Sequence, residues 1–265
     1  MASAPVIRSD RLLSRQLHEG GWAMTDIKVK TLGGVKMLYD RSSAADYGVG
    51  GVPFAPNMNQ AFAQECDKAF KEMFDEMQKH TGLKPKLILS GGVSRAGSGK
   101  SLHHKNRAFD LDGLLFDDGT NWVANTFPQR RQIYLGMEAV LRRYFGVVLA
   151  YDYNRAHEDH FHFDDGLAPG LSTRAKSHVI FLQNVVTFVY HTPVGRDGVW
   201  GSETSEAVVA VRNEMGIGGL SQLANWKQFL SRVAVDAFKN EAGRVGDVVI
   251  PEPEVCHCCG QVIPA

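Results

Sequence analysis

Three histidines, His157, His160 and His162, fall within six residues of the segment HEDHFHFDD. In an extended chain successive side chains point to opposite faces, so His160, His162 and Asp164 share one face and Phe161 and Phe163 the other. Phenyl rings would then anchor the strand while imidazoles point into a site. A second segment, SLHHKNRAFD, places His103 seven residues before Asp110, a loop histidine ahead of a strand carboxylate. Together the two segments can supply His, Asp and His to one metal ion. Three protein ligands leave a further position open, the arrangement of a catalytic zinc rather than a structural one. An isolated histidine is more often a surface or hydrogen-bonded residue, and a crowd of them can also be a pH switch or an adventitious surface site.

Such a site needs rigid elements to hold it. Residues 59–80 place Phe62, Cys66, Phe70, Met73, Phe74 and Met77 at three- and four-residue steps, which predicts an amphipathic helix closed by Gly82. The run KLILSGG predicts a strand that enters a Gly/Ser-rich loop ending at Ser101. In RAFDLDGLLF, Phe109 and Leu111 alternate with Ala108, Asp110 and Asp112, the pattern of a half-buried strand carrying carboxylates. Pro128 to Tyr144 predicts a second helix, and GVVLAYDY and HFHFDD two more strands. Strands and helices mix without a regular βαβ alternation, so the expected class is α+β, with a small, largely antiparallel sheet flanked by helices.

The pair Ser-x-His-x6-Asp (Ser101, His103, Asp110) with the later His-x-x-His-x-His (His157, His160, His162) resembles the zinc peptidases of the D-alanyl-D-alanine metallopeptidase and penicillin-insensitive murein endopeptidase group. It looks closest to their extensin-like branch, over roughly residues 50–166. The resemblance implies one catalytic Zn2+ per chain, held by His103, Asp110 and His162. It implies His160 as the proton-transfer group, His157 as a second shuttle or orienter, and Asp159 and Glu158 as reserve bases. Arg95 and Ser101 are the implied substrate contacts. Many relatives carry a catalytic Glu three residues before the last histidine, where this chain has the shorter Asp159. The glycine usual three residues after the first ligand is Asn106 here, which can also adopt left-handed backbone angles.

A nucleotide-binding reading of KLILSGGVSRAGSGKS fails on inspection. The P-loop needs a glycine five residues before Gly99, where Ser94 stands, and a helix after Ser101, where fewer than two turns fit before the next strand.

After Pro169 the pattern turns mostly helical, which sets a domain boundary at about 168–175. The expected division is a catalytic unit over 1–170, a helical unit of three helices over 174–243 and a linker and tail over 244–265. The helical unit resembles small three-helix peptidoglycan-binding domains: Leu182, Gln183, Asp197, Gly198, Trp200, Gly201, Thr204 and Ala207 match their leading Leu-Gln, their Asp-Gly-x-aromatic-Gly turn and the Thr that opens the next helix. Trp200 is expected to fill the core rather than stack on a ligand. The tail CHCCGQ, with Cys256, Cys258 and Cys259, holds half of a zinc-ribbon pattern and lacks the other half.

Twenty-nine basic residues balance 29 acidic ones, so no broad electrostatic footprint for nucleic acid is present. No stretch approaches a membrane span, and the N-terminus lacks the apolar core of a signal peptide. The expected protein is a monomer made in the cytoplasm that reaches the wall by release or injection, as a phage endolysin or secreted effector does. Its expected partner is peptidoglycan and its reaction cleavage within stem peptides or crosslinks. The alternatives are a D,D-carboxypeptidase of the same group and a non-catalytic wall-binding protein with a structural metal.

Overall fold

A computed structural model of the protein describes residues 25–39, 41 and 52–243. The cysteine-rich tail lies outside the described residues.

The first strands are β1 (Asp26–Lys28), β2 (Thr31–Leu32), β3 (Val35–Tyr39), β4 (Val52–Phe54) and β5 (Asn57–Asn59). Helix α1 (Gln60–Thr81) follows, capped at its start by Asn59, whose Oδ1 accepts from Phe62 N at 3.3 Å. Gly82 ends it at φ 78°, donating to Gln78 O. The six apolar residues at helical spacing, Phe62 to Met77, are all buried as expected. Burial also pushes the Cys66 thiol well above its ordinary range, leaving an inert core residue.

Beyond α1 come β6 (Pro85–Gly92), β7 (Ala108–Phe116), β8 (Asn121–Val123), α2 (Arg131–Tyr144), β9 (Val147–Leu149) and β10 (Phe161–Asp164). The main sheet has eight strands in the order β2-β3-β6-β7-β10-β9, with β4 added to β3 and β8 to β7. β1 and β5 form a separate antiparallel pair. The α+β class holds, with one correction: the main sheet is larger than expected and mixed, because β3 runs parallel to β6. Two boundaries also move. Arg130, at φ −127° and ψ 45°, is non-helical, so α2 starts at Arg131 rather than Pro128. β9 stops at Leu149 because the chain turns into a 3-10 segment, Tyr151–Tyr153, where Tyr151 N donates to the buried Tyr134 hydroxyl at 2.7 Å.

The apolar faces of α1, β7 and β10 meet in an aromatic core. Phe109 stacks on Phe163 at 5.4 Å, and Phe70 packs edge-on against Phe109 at 5.5 Å. Phe161 lies against Tyr134 and Trp122 on the side of α2.

Helices α3 (Lys176–Asn184), α4 (Ser202–Glu214) and α5 (Leu223–Ala242) complete the described chain, with α3 running on into a π-helical turn, Val185–Val189. Their apolar residues join the same hydrophobic core as the sheet. Phe238 of α5 lies so close to Gly136 of α2 that a Cβ there would meet its ring at 2.6 Å. Arg143 ties three helices together, donating to Glu72 and Glu76 of α1 and to Ser231 of α5. No described helix is long and apolar enough to cross a membrane.

His178 fastens α3 to the sheet. Its Nδ1 accepts from Ser172 N at 2.9 Å and its Nε2 donates to Gly146 O at 3.1 Å, so the ring is held neutral. Burial, helped by the charge of Arg142, lowers its pKa to about 4. The unfolded chain therefore binds a proton below the ordinary pKa of about 6.5 that the folded chain refuses until about 4. Stability from this group is complete above about pH 6.5 and is lost as the pH falls towards 4, by about 3 kcal/mol. Denaturant unfolding at pH 7 and pH 4 should show the loss in the wild type, and His178→Gln should lose less over the same interval.

Candidate metal centre

The pairing of β7 with β10 builds the site. In this antiparallel ladder His162 stands directly opposite Asp110, and Phe161 opposite Leu111. Both strands turn their polar residues to one face, as the alternation predicts. His103 arrives from a one-turn 3-10 segment, Leu102–Lys105, which is followed by β7 rather than by a helix. That turn closes on Asn106, which adopts the left-handed conformation at φ 55°. Its side chain is tied to Asp26 Oδ2 at 2.6 Å and to the Ser94 hydroxyl, so the turn expected of a glycine is kept and pinned.

His103 Nε2, His162 Nδ1 and Asp110 Oδ1 converge at separations of 3.1, 3.0 and 3.2 Å. Tetrahedral ligand atoms bound at about 2.0–2.1 Å stand about 3.3 Å apart, so the triangle has the size of one face of such a site. The remaining nitrogen of each imidazole is occupied. His103 Nδ1 donates to Val93 O at 2.8 Å, and His162 Nε2 lies 3.1 Å from Asp164 Oδ2. These outer contacts fix the orientation of both rings, with His103 Nε2 and His162 Nδ1 turned inward, as outer partners do for metal-binding histidines. Electrostatics also call for a cation here. Burial opposes the charge on Asp110, but hydrogen bonds with His103 and His162 outweigh it and hold the carboxyl well below its usual range. Burial likewise opposes charge on His162, yet Asp110 and Asp164 raise its pKa to about 9. These three residues are the one group among the described residues that brings three metal-ligating atoms together.

His160 stands beside the triangle, its Nε2 3.6 Å from Asp110 Oδ1. Its Nδ1 lies 2.5 Å from Asp159 Oδ1 and 3.0 Å from Arg41 Nη2, and a proton shared with Asp159 at Nδ1 would leave Nε2 as an acceptor. Burial lowers its pKa, against the pull of Asp110 and Asp159. His157 is half-buried, with Nδ1 2.7 Å from Asn154 Oδ1 and its ring 5.1 Å from that of His160. Burial and the neighbouring imidazoles lower its pKa to about 4. Asp159 thus orients His160, and Glu158 is exposed. Arg95 and Ser101 meet the cluster through their backbones: Arg95 N donates to His103 O, and Ser101 O accepts from His104 N. The Arg95 side chain is exposed.

Two members escape a reading of the motifs. Asp112 is fully buried and receives both arms of Arg41, Nε and Nη2, at 3.0 Å. Nη2 also lies 3.0 Å from His160 Nδ1 and 3.5 Å from Asp159 Oδ1. Burial pushes the Asp112 carboxyl up to about 7 against the hydrogen bond and charge of Arg41. A Cβ on Gly91 would sit 2.6 Å from Arg41 Nε and 2.7 Å from Asp112 Oδ1, so this glycine of β6 clears room for the ion pair. Glycine inside a strand is the sequence signal of such a close approach.

Removing Arg41 would leave a buried carboxylate without its partner. Arg41→Met should cost about 2–3 kcal/mol in denaturant unfolding at pH 8, and the double variant with Asp112→Asn should recover most of it.

No curated protein and no solved structure matches the chain. Residues 57–170, which carry every member of this cluster except Arg41, match the family model of the extensin-like protein C-terminus.

Proposed function

We propose that this chain is a zinc metallopeptidase that cleaves amide bonds within peptidoglycan stem peptides or crosslinks. The observation that carries this reading is the inward-facing triangle of His103 Nε2, Asp110 Oδ1 and His162 Nδ1 with His160, its Nδ1 against Asp159, beside it. Two imidazoles and a carboxylate are the donor set that zinc accepts, and three of them leave its remaining position to water or substrate. Zinc bound there supplies a Lewis acid that acidifies water and polarises a carbonyl.

The chain's own residues do the rest. His160, neutral at working pH and with Nε2 free to accept, takes the proton from the attacking water and returns it to the leaving amine. Asp159 holds the proton on Nδ1 and steadies the imidazolium formed in between. Arg41 balances the carboxylates behind this pair. His157, its Nδ1 anchored on Asn154, offers a second neutral imidazole on the same side.

The reading extends to the helical residues 174–243 as a wall-binding unit. The residues matched to that signature come together around Gln183, whose amide nitrogen lies 2.9 Å from Asp197 Oδ1 and 3.1 Å from Thr204 Oγ1. Its Oε1 accepts from Gly198 N at 2.9 Å. Gly198 needs its positive φ of 74°, Gly201 precedes the first turn of α4, and Trp200 is half-buried against the core. These contacts build the turn, and its exposed residues are what the polymer would meet.

The purified protein should carry about one zinc per chain by elemental analysis. His162→Ala should lose metal and activity together, and full occupancy in that variant would remove His162 from the ligand set. His160→Ala should keep its zinc while turnover falls by about 10²–10⁴. Near-wild-type turnover there would move the base to Asp159 or Glu158.

The bond is read from products. Mass spectrometry of digested sacculi should show crosslinked dimers converted to monomers, or stems shortened at an internal bond. Free D-alanine alone would mark a carboxypeptidase, and intact stems released from the glycan an amidase.

A further inference from the structure

The loop between β9 and β10 carries Asn154 and His157, and the catalytic unit holds its start, where Tyr151 meets Tyr134 and Phe127. Its residues form two short 3-10 turns, Tyr151–Tyr153 and Arg155–His157, and Asn154, Arg155 and Ala156 are exposed. Most of its polar anchors come from beyond residue 175. Asp152 Oδ2 accepts from Asn184 Nδ2 at 3.0 Å and from Arg196 Nη1 at 3.1 Å. Lys176 Nζ donates to Tyr153 O at 2.9 Å and lies over the Tyr153 ring at 5.6 Å. That ring in turn meets the edge of His157 at 5.6 Å, and His157 faces His160.

We infer that the C-terminal helices brace the loop of His157, so that Asp152, Asn184, Arg196 and Lys176 are positioning residues of the site. The catalytic consequence rests on the hydrolase reading above. The bracing itself does not.

The anchors suit the role. Asn184 is buried at the end of α3, where the helix widens into its π turn, a feature frequent at functional sites. Arg196 is held on its other side by the face of Phe188, 4.9 Å from its guanidinium. A buried amide and a stacked guanidinium aimed at one carboxylate oxygen form a charge-assisted clamp with little freedom. Tyr151 packs against Phe127 and the core, while the stretch that follows it, with Asn154 to Ala156 exposed, leans on the clamp, which decides how often it opens. Arg196 also directly precedes Asp197 of the turn organised by Gln183. The segment read as a wall-binding turn is thus fastened to the loop beside the metal centre.

The test uses the full-length protein with Asp152→Ala, Arg196→Ala and Arg196→Lys, and Lys71→Ala on the surface of α1 as control. Hydrogen exchange over residues 151–157 should quicken about tenfold in the two alanine variants, with exchange in α1 unchanged. On a purified crosslinked muropeptide dimer, kcat should fall about tenfold with KM within about twofold and zinc content unchanged, the pattern of a lost transition-state alignment. Arg196→Lys should restore most of both, because a single nitrogen makes the contact, and Lys71→Ala should match the wild type. Exchange or kcat staying at the wild-type value in both alanine variants overturns the brace. A wild-type protein that cleaves no peptidoglycan would instead overturn the hydrolase reading, and the exchange data would then judge the brace alone.

Discussion

One antiparallel pairing governs the rest of the molecule: β7 against β10, with His162 opposite Asp110. Because side chains alternate along a strand, this register decides at once which residues form the core and which form the site. A slip of one residue would carry Phe161 and Phe163 to the polar face and bury the imidazoles among α1's aromatic rings. The register is therefore held by the aromatic packing behind it. Phe163 touches Phe62, Phe70, Phe109 and Phe145, an arrangement no imidazole could replace without stranding two ring nitrogens. The core specifies the site by excluding it.

The same face has to accommodate several ionisable groups withdrawn from water. Asp110, Asp112, His103 and His160 are all buried, and His162 nearly so. Isolated charges in such surroundings would cost more than a domain can spare. Arg41 offsets one carboxylate with a two-armed contact, and the histidines share the other. A divalent cation at the triangle would replace the proton that His162 otherwise retains. Pre-formed ligand geometry and an appetite for positive charge are thus one property of this face.

Much of this was legible in the chain because it depends on local periodicity. The i, i+2 spacing of His160, His162 and Asp164 and the carboxylates of β7 place themselves once the strands are recognised, and α1 announces its closing Gly82. What escaped was long-range. Arg41 reaches Asp112 across 71 residues, through the parallel pairing of β3 with β6, and parallel neighbours leave no hairpin signature. The glycines of KLILSGG were visible, but the use of Gly91 in admitting a guanidinium depends on what approaches from outside the strand. The late start of α2 and the early end of β9 arise from tertiary contacts, such as Tyr134 capturing Tyr151 N, that override apolar runs. The tie between Asp152 and Arg196 joins residues that a division near 170 would assign to separate units.

That tie has a deeper counterpart in Arg142. Its guanidinium, 1 % exposed, pairs with Glu138 one helical turn away at 2.7 Å and donates to Val148 O at 3.1 Å and Ser177 O at 2.8 Å. The face of Phe181 lies 4.9 Å from it. Nε and Nη2 carry all of these bonds while the buried Nη1 has no partner among the described residues, so α2, β9 and α3 must meet at one angle to keep the contacts that offset burying the charge. Such a pair adds little net stability compared with an apolar filling, but it penalises misplacement heavily. Val148 is paired with Phe163 in the ladder that also sets His162. The strand bearing the last candidate ligand is therefore aligned from one edge by β7, and from the other by a strand whose carbonyl is held by Arg142 of α2, which also grips the start of α3.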